Sequence, residues 1–548
     1  MILAQAAVLS AVALTPAAAQ LPTVNEMISA DVAAGPSDGW SRAVAISGNG
    51  DLVAFESGAT DLVTGDTNGL GDVFVRDRGA GVTRRVSVGS GGGQADGASY
   101  RCALSRDGRF VAFESAAKNL VADDDNGWPD VFRHDLVTGT TIAISSNLAG
   151  EISDQGAEFP ALSADGSVAA FATLSTNLGP IDPTGRDIYV RDFAAGTIER
   201  ITVGLGGTPV NHNCQDPVLS DDGRYVAFGS HASNLVPGDT NNAQDVFVFD
   251  RVAGVLERVS VGPLGIQAAA DSQYPSISAD GRFVAFQSRS SVGLAGDTNN
   301  AFDVFVRDRL LGTTTRVSSD LDGNAGSNVS RDASISADGR YVAFCSWAND
   351  LVPGDLSGQY DVFVHDRQNG VTERRSPAET GGEGNGHSFA PALSSDGRTV
   401  AFESEATNLA GADTNGWLDI YLHEFALSPA PSLLGNGVDG FLDLASGTPL
   451  TVTASLDPGD HGLLLAEWWL WAQTPFGDFW LTPSLTWIPS VTAIPTLLAP
   501  IVPLSPAPIL AGAVLPPGTY TLHFGLDPNL DFVLDPLWTD SLEVTVAP

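Results

Sequence analysis

The chain has 548 residues, of which 43% are apolar, and a formal charge of −38 from 65 acidic and 27 basic side chains. This length exceeds one ordinary domain, so the sequence predicts more than one. The strongly acidic surface repels phosphate backbones and anionic headgroups, which argues against nucleic acid as a partner.

Residues 1–19 have the features of a secretory signal. They combine an apolar centre with Pro16 and the small run Ala17–Ala19 before Gln20. The segment lacks the usual Lys or Arg near its start, and a disordered apolar N-terminus is the alternative interpretation. We interpret it as an export signal. We therefore expect a periplasmic or extracellular protein with no membrane span after its removal.

A stretch resembling residues 217–261 occurs seven times along the chain. The glycine of its first turn recurs every 58 residues, with one interval of 57 between Gly166 and Gly223. The missing residue falls in a polar loop of the third repeat. Self-similarity at a fixed period of this length predicts a repeat architecture in which every unit packs alike.

Each repeat predicts four strands. The second strand has the pattern aromatic-Val-Ala-Phe, and the third has Asp-Val-Phe-Val. Apolar residues on both faces of a strand indicate sheets that are buried on both sides. Four-stranded sheets repeated around an axis form a β-propeller, here with seven blades. A linear β-solenoid is the competing arrangement, but it normally uses shorter repeats.

The seventh repeat lacks a fourth strand, and the other end of the chain offers one. Residues 24–30 align with residues 82–88, a fourth strand, although no other three strands precede them. We therefore expect this N-terminal strand to complete blade seven. Closing the ring in this way removes sheet edges that would otherwise pair with other chains.

These residues also resemble a known family. The pattern Ser-x-Asp-Gly-Arg-x-Val-Ala-Phe-x-Ser, followed by Asp-Val-Phe-Val-x-Asp-Arg, is similar to the WD40-like repeat of TolB-type propellers. The resemblance covers residues 23–425 and implies a propeller fold and an exported bacterial protein. It does not imply an enzyme, because such propellers include binding and assembly proteins as well as hydrolase fusions.

The long loops between the second and third strands carry the clearest chemistry. Their recurring Asp and Asn oxygens are ligands that Ca²⁺ prefers. The predicted metal ligands are Asp66, Asn68, Asp72, Asp124, Asn126, Asp130, Asp239, Asn241, Asp245, Asp297, Asn299, Asp303, Asp413, Asn415 and Asp419. The competing interpretation is that these side chains only hold their own loops by hydrogen bonds. Blade six has Ser357 in place of Asn, and blade three has a shortened loop.

No catalytic constellation emerges from the sequence. The pattern Gly-x-Ser-x-Gly occurs once, over residues 35–39, in a loop with no helix after it, so it does not predict a nucleophile elbow. His134, His365 and His423 share one repeat position, and the interchange with arginine there predicts a largely solvent-facing side chain; the other repeats have Arg76, Arg191, Phe249 and Arg307. The three cysteines lie in repeats two, four and six, so we expect unpaired, mostly buried thiols.

The repeat ends near residue 425. A Pro-rich linker is predicted over residues 426–432 and a small β-sandwich over residues 433–548. The segment Pro-Gly-Thr-Tyr-Thr-Leu-His-Phe-Gly resembles immunoglobulin-like modules of bacterial exported proteins. Trp480 and Trp487 are candidates for stacking on sugar rings, although buried core tryptophans are the commoner case.

The sequence thus predicts a non-catalytic, exported, monomeric protein that is all-β. It would bind a protein or a cell-envelope partner through the face of the propeller that carries the long loops. A calcium-dependent adhesive or glycan-binding protein is the alternative. A hydrolase that uses the propeller as a scaffold is the third candidate.

Overall fold

A computed structural model describes residues 24–179, 185–294, 299–411 and 413–424, together with the backbone of the strands between residues 430 and 546. The predicted signal, residues 1–19, lies outside the described residues. No helix of the described part of the chain is long and apolar enough to cross a membrane.

Seven four-stranded antiparallel sheets form the blades of a β-propeller, as predicted. In blades one to three the strands are Ser41–Ile46, Leu52–Ser57, Asp72–Asp77, Val82–Arg85; Ser99–Leu104, Phe110–Ser115, Asp130–Asp135, Thr140–Ala143; Ala157–Leu162, Val168–Thr173, Asp187–Asp192 and Thr197–Arg200. In blades four to six they are Cys214–Leu219, Tyr225–Ser230, Asp245–Asp250, Val255–Arg258; Ser272–Ile277, Phe283–Ser288, Asp303–Asp308, Thr313–Arg316; Ser330–Ile335, Tyr341–Ser346, Asp361–Asp366 and Val371–Arg374. Short 3-10 turns at Leu205–Gly207 and Pro263–Gly265 precede blades four and five.

Blade seven is closed by the N-terminal strand, which confirms the prediction. Its strands are Ser388–Leu393, Thr399–Ser404, Asp419–Glu424 and Val24–Met27, and the last pairs antiparallel with Asp419–Glu424. The side-chain amide of Asn25 donates hydrogen bonds to the carbonyls of Pro377 and Leu409, at 2.6 and 2.8 Å. These contacts join the two ends of the ring, so the ring depends on a strand that precedes blade one in sequence.

Apolar cores fill the spaces between neighbouring blades. Val73 and Val75 of blade one, for example, pack in one buried cluster with Val111 and Phe113 of blade two. Each blade also stacks an aromatic ring of its second strand on one of its third, at 5.7 to 6.3 Å between ring centroids. Both faces of the sheets are therefore covered, which is why the strands are apolar on both sides.

On the face with the short turns, backbone hydrogen bonds link every blade to the next. The seven bonds are Gly48 N to Arg106 O, Asp107 N to Ala164 O, Ala164 N to Asp221 O, Asp221 N to Ala279 O, Ala279 N to Ala337 O, Ala337 N to Ser395 O and Ser395 N to Gly48 O. Their lengths lie between 2.7 and 3.0 Å, within the ordinary range. Such a closed ring requires equivalent turns at every blade, which explains the near-constant repeat length.

Beyond residue 430 the strands form two more sheets. One contains Ala430–Gly435, Val438–Asp439, Pro449–Asp457 and Leu504–Val514. The other contains Phe441–Leu444, Leu465–Thr474, Gly477–Leu481, Trp487–Pro489, Leu497–Pro500, Gly518–Asp527 and Trp538–Val546. The connections between these strands lie outside the described residues. The linker over 426–432 and the sandwich over 433–548 therefore stay predictions, as does any role for Trp480 and Trp487.

Candidate functional site

The predicted metal loops are held together by their own side chains. In blade one, the amide of Asn68 donates to Asp72 Oδ2 at 3.2 Å and to the carbonyl of Ala95 at 3.1 Å. Asp72 is fully buried, and its Oδ1 accepts a hydrogen bond from Ser87 Oγ at 2.5 Å. The corresponding Asn–Asp bonds measure 2.6 to 3.2 Å and join Asn126 to Asp130, Asn241 to Asp245, Asn299 to Asp303 and Asn415 to Asp419.

Several of these loops also contain a cation of their own. Arg85 Nη1 lies 3.1 Å from Asp66 Oδ1 and 3.4 Å from Asp72 Oδ2. In blade four, the equivalent arginine, Arg258, lies 3.3 Å from both Asp239 and Asp245. A guanidinium between two carboxylates balances their charge, so a metal ion would have to compete with it. Sequence reasoning missed this partner because the arginine lies on the fourth strand.

The remaining blades vary this arrangement. Arg200 pairs with Asp187 at 3.2 Å in blade three, and Arg374 lies 3.7 Å from Asp355 in blade six. Blade five has Arg316 at the same position, whereas its Asp297 lies outside the described residues. Across the described part of the chain, no group of three or more His, Cys, Asp or Glu side chains is arranged to hold a metal ion. Calcium binding stays a prediction.

A second cluster of acidic groups lies at the central channel. A cavity of 360 Å³ is lined by first-strand residues of all seven blades, which places these strands around the axis. Every first strand contains a bulge at one non-glycine residue with positive φ. These residues are Ala43, Arg101, Phe159, Asp216, Tyr274, Asp332 and Ala390, with φ between 44° and 58°. Such a conformation persists only where surrounding contacts enforce it.

Side chains of the neighbouring second strands supply such contacts. The backbone N–H of Arg101 donates to Glu56 Oε2 at 2.7 Å, and that of Phe159 donates to Glu114 Oε1 at 2.6 Å. Ala43 makes the same bond to Glu403 Oε1 at 2.7 Å, across the junction of blades seven and one. Three adjacent blades therefore place a carboxylate at the channel.

The other four blades have no acid at this position. Their residues are Ala172, Gly229, Gln287 and Cys345. Of these, Gln287 keeps the bond to the next bulge, since its Oε1 accepts the N–H of Asp332 at 3.0 Å. The second-strand glutamates therefore mark one side of the ring, formed by blades seven, one and two, whereas the bulge residues Asp216 and Asp332 place carboxylates in blades four and six.

The three glutamates line a cleft of 600 Å³ together with Glu158, Arg42, Tyr100 and Arg101. Arg101 Nη1 lies 3.3 Å from Glu114 and 3.6 Å from Glu158, and Arg42 pairs with Glu56. Pro129, in a long loop, also lines this cleft, so the cleft lies at the long-loop end of the blades. We call this site the acidic cleft.

Burial changes the acidity of the acidic cleft. It raises the pKa of Glu114 to about 7, against the opposing effects of the Phe159 N–H and Arg101. It likewise raises the pKa of Glu403 to about 7. Acids that titrate near neutrality in a cleft are typical of functional sites. Both groups can therefore change charge when a ligand alters their surroundings.

Exposed aromatic side chains lie on the long loops of the same side of the ring. Trp128 in blade two and Trp417 in blade seven are 52% and 49% exposed. Each follows an Asn-Gly pair that blade one continues with Leu70 instead. In the sequence, these side chains belong to the tripeptides Phe-Glu-Ser and Asn-Gly-Trp. Each tripeptide occurs in only some repeats, so the pattern shared by all seven repeats does not include it.

The prediction that the repeated histidines face solvent is wrong for two of them. His134 and His423 are 6% and 1% exposed. His134 Nδ1 lies 2.9 Å from the hydroxyl of Thr141, and Arg76 at the same position in blade one donates to Thr83 Oγ1 at 3.3 Å. In blades one, two, five and six, arginine and histidine interchange because each brings a nitrogen to a threonine of the fourth strand. In blade three Arg191 donates to Ser146 instead, and blade four has Phe249.

The cysteines are unpaired, with Cys214 and Cys345 buried and Cys102 partly buried. Burial raises the pKa of Cys102 and Cys345 well above the usual thiol range. Such thiols are unreactive at neutral pH because the thiolate is the nucleophilic form.

No protein-family model and no curated protein matches the chain. Among solved structures, it is similar to a putative TolB from Agrobacterium tumefaciens, with 18% identity over 51% of this chain and 80% of that chain, at a TM-score of 0.33. It is also similar to an oligogalacturonate lyase in complex with manganese, with 13% identity over 74% and 97% of the two chains, at a TM-score of 0.44. A tricorn protease matches with 12% identity over 88% of this chain and 36% of that chain, at a TM-score of 0.29. The seven blades of the structure themselves establish the propeller fold. At these identities and TM-scores, the similarities give no information about function.

Proposed function

We propose that this protein is an exported, non-catalytic binding protein that receives a positively charged segment of a partner protein or envelope component in its acidic cleft. The observation that carries the proposal is the convergence of Glu56, Glu114 and Glu403 from three adjacent blades. With Glu158 they outnumber the two arginines that line the cleft. A rigid ring that presents such a group at one end suits recognition of lysine or arginine side chains.

Binding of a cation would be linked to proton release. A positive charge beside Glu114 and Glu403 favours their ionised forms and lowers their pKa. Affinity should therefore rise as the pH increases through about 7, where these carboxyls ionise. This pH dependence distinguishes the acidic cleft from the rest of the acidic surface, most of which is already ionised at pH 6.

The test is a titration with a hexalysine peptide, followed by calorimetry at pH 6 and pH 8. We expect saturable binding that is several-fold tighter at pH 8. The triple variant Glu56→Gln, Glu114→Gln, Glu403→Gln should lose it. The matched control changes Glu199, Glu257 and Glu373 to Gln on the outer fourth strands, which removes the same formal charge elsewhere. Equal loss in both triple variants would contradict the proposal.

A glycan ligand is the second candidate, favoured by the exposed rings of Trp128 and Trp417. Aromatic rings stack on sugars, and carboxylates accept bonds from sugar hydroxyls. Changing both tryptophans to alanine should abolish retention on a glycan array and leave hexalysine binding unchanged. If no glycan is retained by the unaltered protein, this candidate is excluded.

A hydrolase is the third candidate, favoured by the near-neutral pKa of Glu114 and Glu403. Groups that titrate at this pH can serve as general acid or base. Turnover of an ester, peptide or glycoside substrate that Glu114→Gln abolishes would support it. No turnover by the unaltered protein would exclude those reactions.

A further inference from the structure

One repeat position supplies the arginine side chain that lies in the acidic loops. It is the last residue of the fourth strand, which we call the arginine position. It is Arg85, Arg200, Arg258, Arg316 and Arg374 in blades one, three, four, five and six. Blade two has Ala143 there, and blade seven has Met27, the last residue of the closing strand.

Blade two nevertheless keeps both carboxylates of the loop. Asp124 is 6% exposed, and Asp130 is fully buried. Asp130 accepts hydrogen bonds from Ser145 at 2.8 Å, Ser153 at 2.7 Å and Asn126 at 2.6 Å. Asp130 is therefore held by neutral donors only.

Asp124 is left without a partner. Within the described residues its side chain accepts no hydrogen bond, and no basic group lies within 4 Å of it. The corresponding Asp66 of blade one has both, since Arg85 lies 3.1 Å away and the amide of Gln94 donates to it at 3.0 Å. Burial and the nearby Asp130 raise the pKa of Asp124 to about 6. An unpartnered buried carboxylate is costly unless something outside the chain binds it.

Other replacements around Asp124 in blade two also remove donors or add negative charge. Ile152 takes the place of Gln94, so the amide donor is lost together with the arginine. Asp123 and Asp125 take the places of Gly65 and Thr67, and both are exposed. Relative to blade one, blade two thus loses the arginine and gains two aspartates around the same pair, while Lys118, in the place of Thr60, partly offsets this negative charge at Asp124.

In blade seven, uncharged hydrogen-bond donors take the place of the arginine at the corresponding carboxylate. It also lacks the arginine, but the hydroxyl of Tyr421 donates to Asp413 Oδ2 at 2.8 Å. The backbone N–H of Asn415 donates to the other oxygen, at 3.2 Å. Blade two has Phe132 in place of Tyr421 and cannot make the first of these bonds.

We propose that blade two binds one divalent metal ion, with calcium as its preferred ion, between Asp124 and Asp130, where a guanidinium lies in blades one and four. Carboxylate oxygens are the ligands that Ca²⁺ prefers, and loop carbonyls and water complete its shell. Asn126 is not a ligand, because its oxygen accepts the N–H of Trp128 at 2.7 Å and its nitrogen donates to Asp130. The site is independent of the proposed function, since it lies outside the acidic cleft.

The experiment titrates CaCl₂ into the full chain after treatment with EDTA and chelator removal. Calorimetry should show one site per chain with a Kd of roughly 10⁻⁴ M, as for other sites with few protein ligands. The melting temperature should rise by about 2 °C or more at 10 mM CaCl₂, because the ion binds only the folded state.

Three variants locate the site. Asp124→Asn should abolish calcium binding, and the matched substitution Asp66→Asn in blade one should leave it unchanged. Ala143→Arg places the guanidinium in blade two and should abolish binding while the chain melts at least as high in EDTA as the parent. A melting temperature that is not lowered would show that Ala143→Arg loses calcium binding without damage to the fold.

Three outcomes overturn the proposal. The first is no saturable binding up to 10 mM CaCl₂. The second is binding that survives both Asp124→Asn and Ala143→Arg, which would place the ion elsewhere. The third is binding that appears only in Lys118→Met, which would show that the ammonium of Lys118, the one lysine of the chain, already neutralises the pair in solution.

Discussion

Blades seven, one and two differ from blades three to six at one position near the end of the second strand. The first group has Glu403, Glu56 and Glu114 there, and the second group has Ala, Gly, Gln and Cys. The backbone bulge that faces this position is the same in all seven blades. The backbone is therefore uniform, and the glutamates at this position are confined to one side.

The same backbone bulge is therefore stabilised in two ways. On the acidic side, charged acceptors hold the bulges and create groups that titrate near pH 7. On the other side, uncharged side chains take this role, since Gln287 accepts the N–H of Asp332 and Cys345 lies against the N–H of Ala390. Repetition thus identifies the scaffold, and departures from repetition identify candidate sites.

The largest expected effect comes from removing the strand that holds the acidic side together. Deleting residues 20–32 removes the pairing of Val24–Met27 with Asp419–Glu424 and the buried Ile28. We expect the melting temperature to fall by more than about 10 °C, since loss of several buried contacts exceeds the usual cost of a point mutation. Deleting residues 2–19 alone is the control and should change nothing. An unaltered melting temperature after the longer deletion would refute closure by this strand.

The next effect compares equivalent acceptors of the two sides. Glu56→Ala leaves the part-buried hydrogen bond of the Arg101 N–H without its acceptor and removes the partner of Arg42. We expect a loss of about 3 kcal/mol in the free energy of unfolding, against about 1 kcal/mol for Gln287→Ala, because bonds to charged groups are stronger. Urea unfolding at pH 7 measures both. Equal losses would mean that charge at this position does not matter to the fold.

The pH dependence of stability should also differ between the sides. The folded-state pKa of Glu114 is about 7, above its unfolded value, so the fold favours the protonated form. Its stabilising effect is complete below the unfolded pKa and is lost as the pH rises through 7. Glu114→Gln should therefore be more stable than the parent by about 1–3 kcal/mol at pH 8, and the advantage should shrink towards pH 5. A difference that stays constant between pH 5 and pH 8 would contradict this assignment.

The smallest expected effect concerns ion pairs at the outer part of the blades. It tests whether blade two differs from blade four there as well as at the inner strands. Arg109 in blade two and Arg224 in blade four make equivalent pairs with Asp135 and Asp250, at 2.8 and 2.7 Å. Arg109 is exposed and Arg224 is partly exposed, and ion pairs at the surface contribute little. Arg109→Gln and Arg224→Gln should each change the melting temperature by less than about 1 °C. A large fall in melting temperature for Arg109→Gln alone would show that the two sides of the ring also differ in their outer strands.

The amino-acid sequence alone predicts the number of blades, their strands and the closing strand. These features follow from local patterns, since a strand buried on both faces, a turn glycine and a fixed period are all legible along the chain. It also located the acidic loops, but it could not show that Arg85 lies between Asp66 and Asp72. That contact depends on the pairing of the fourth strand with the third.

Which acidic groups come into contact depends on the packing of the whole ring. Glu403 and Ala43 are 360 residues apart in sequence, yet ring closure places them in hydrogen-bonding contact. The burial that raises the pKa of Glu403 comes from the same closure and has no local signal. The absence of a partner for Asp124 likewise depends on which side chains the packed blades bring to the described loops. Periodicity is a local property of the chain, whereas charge compensation is a property of the packed ring.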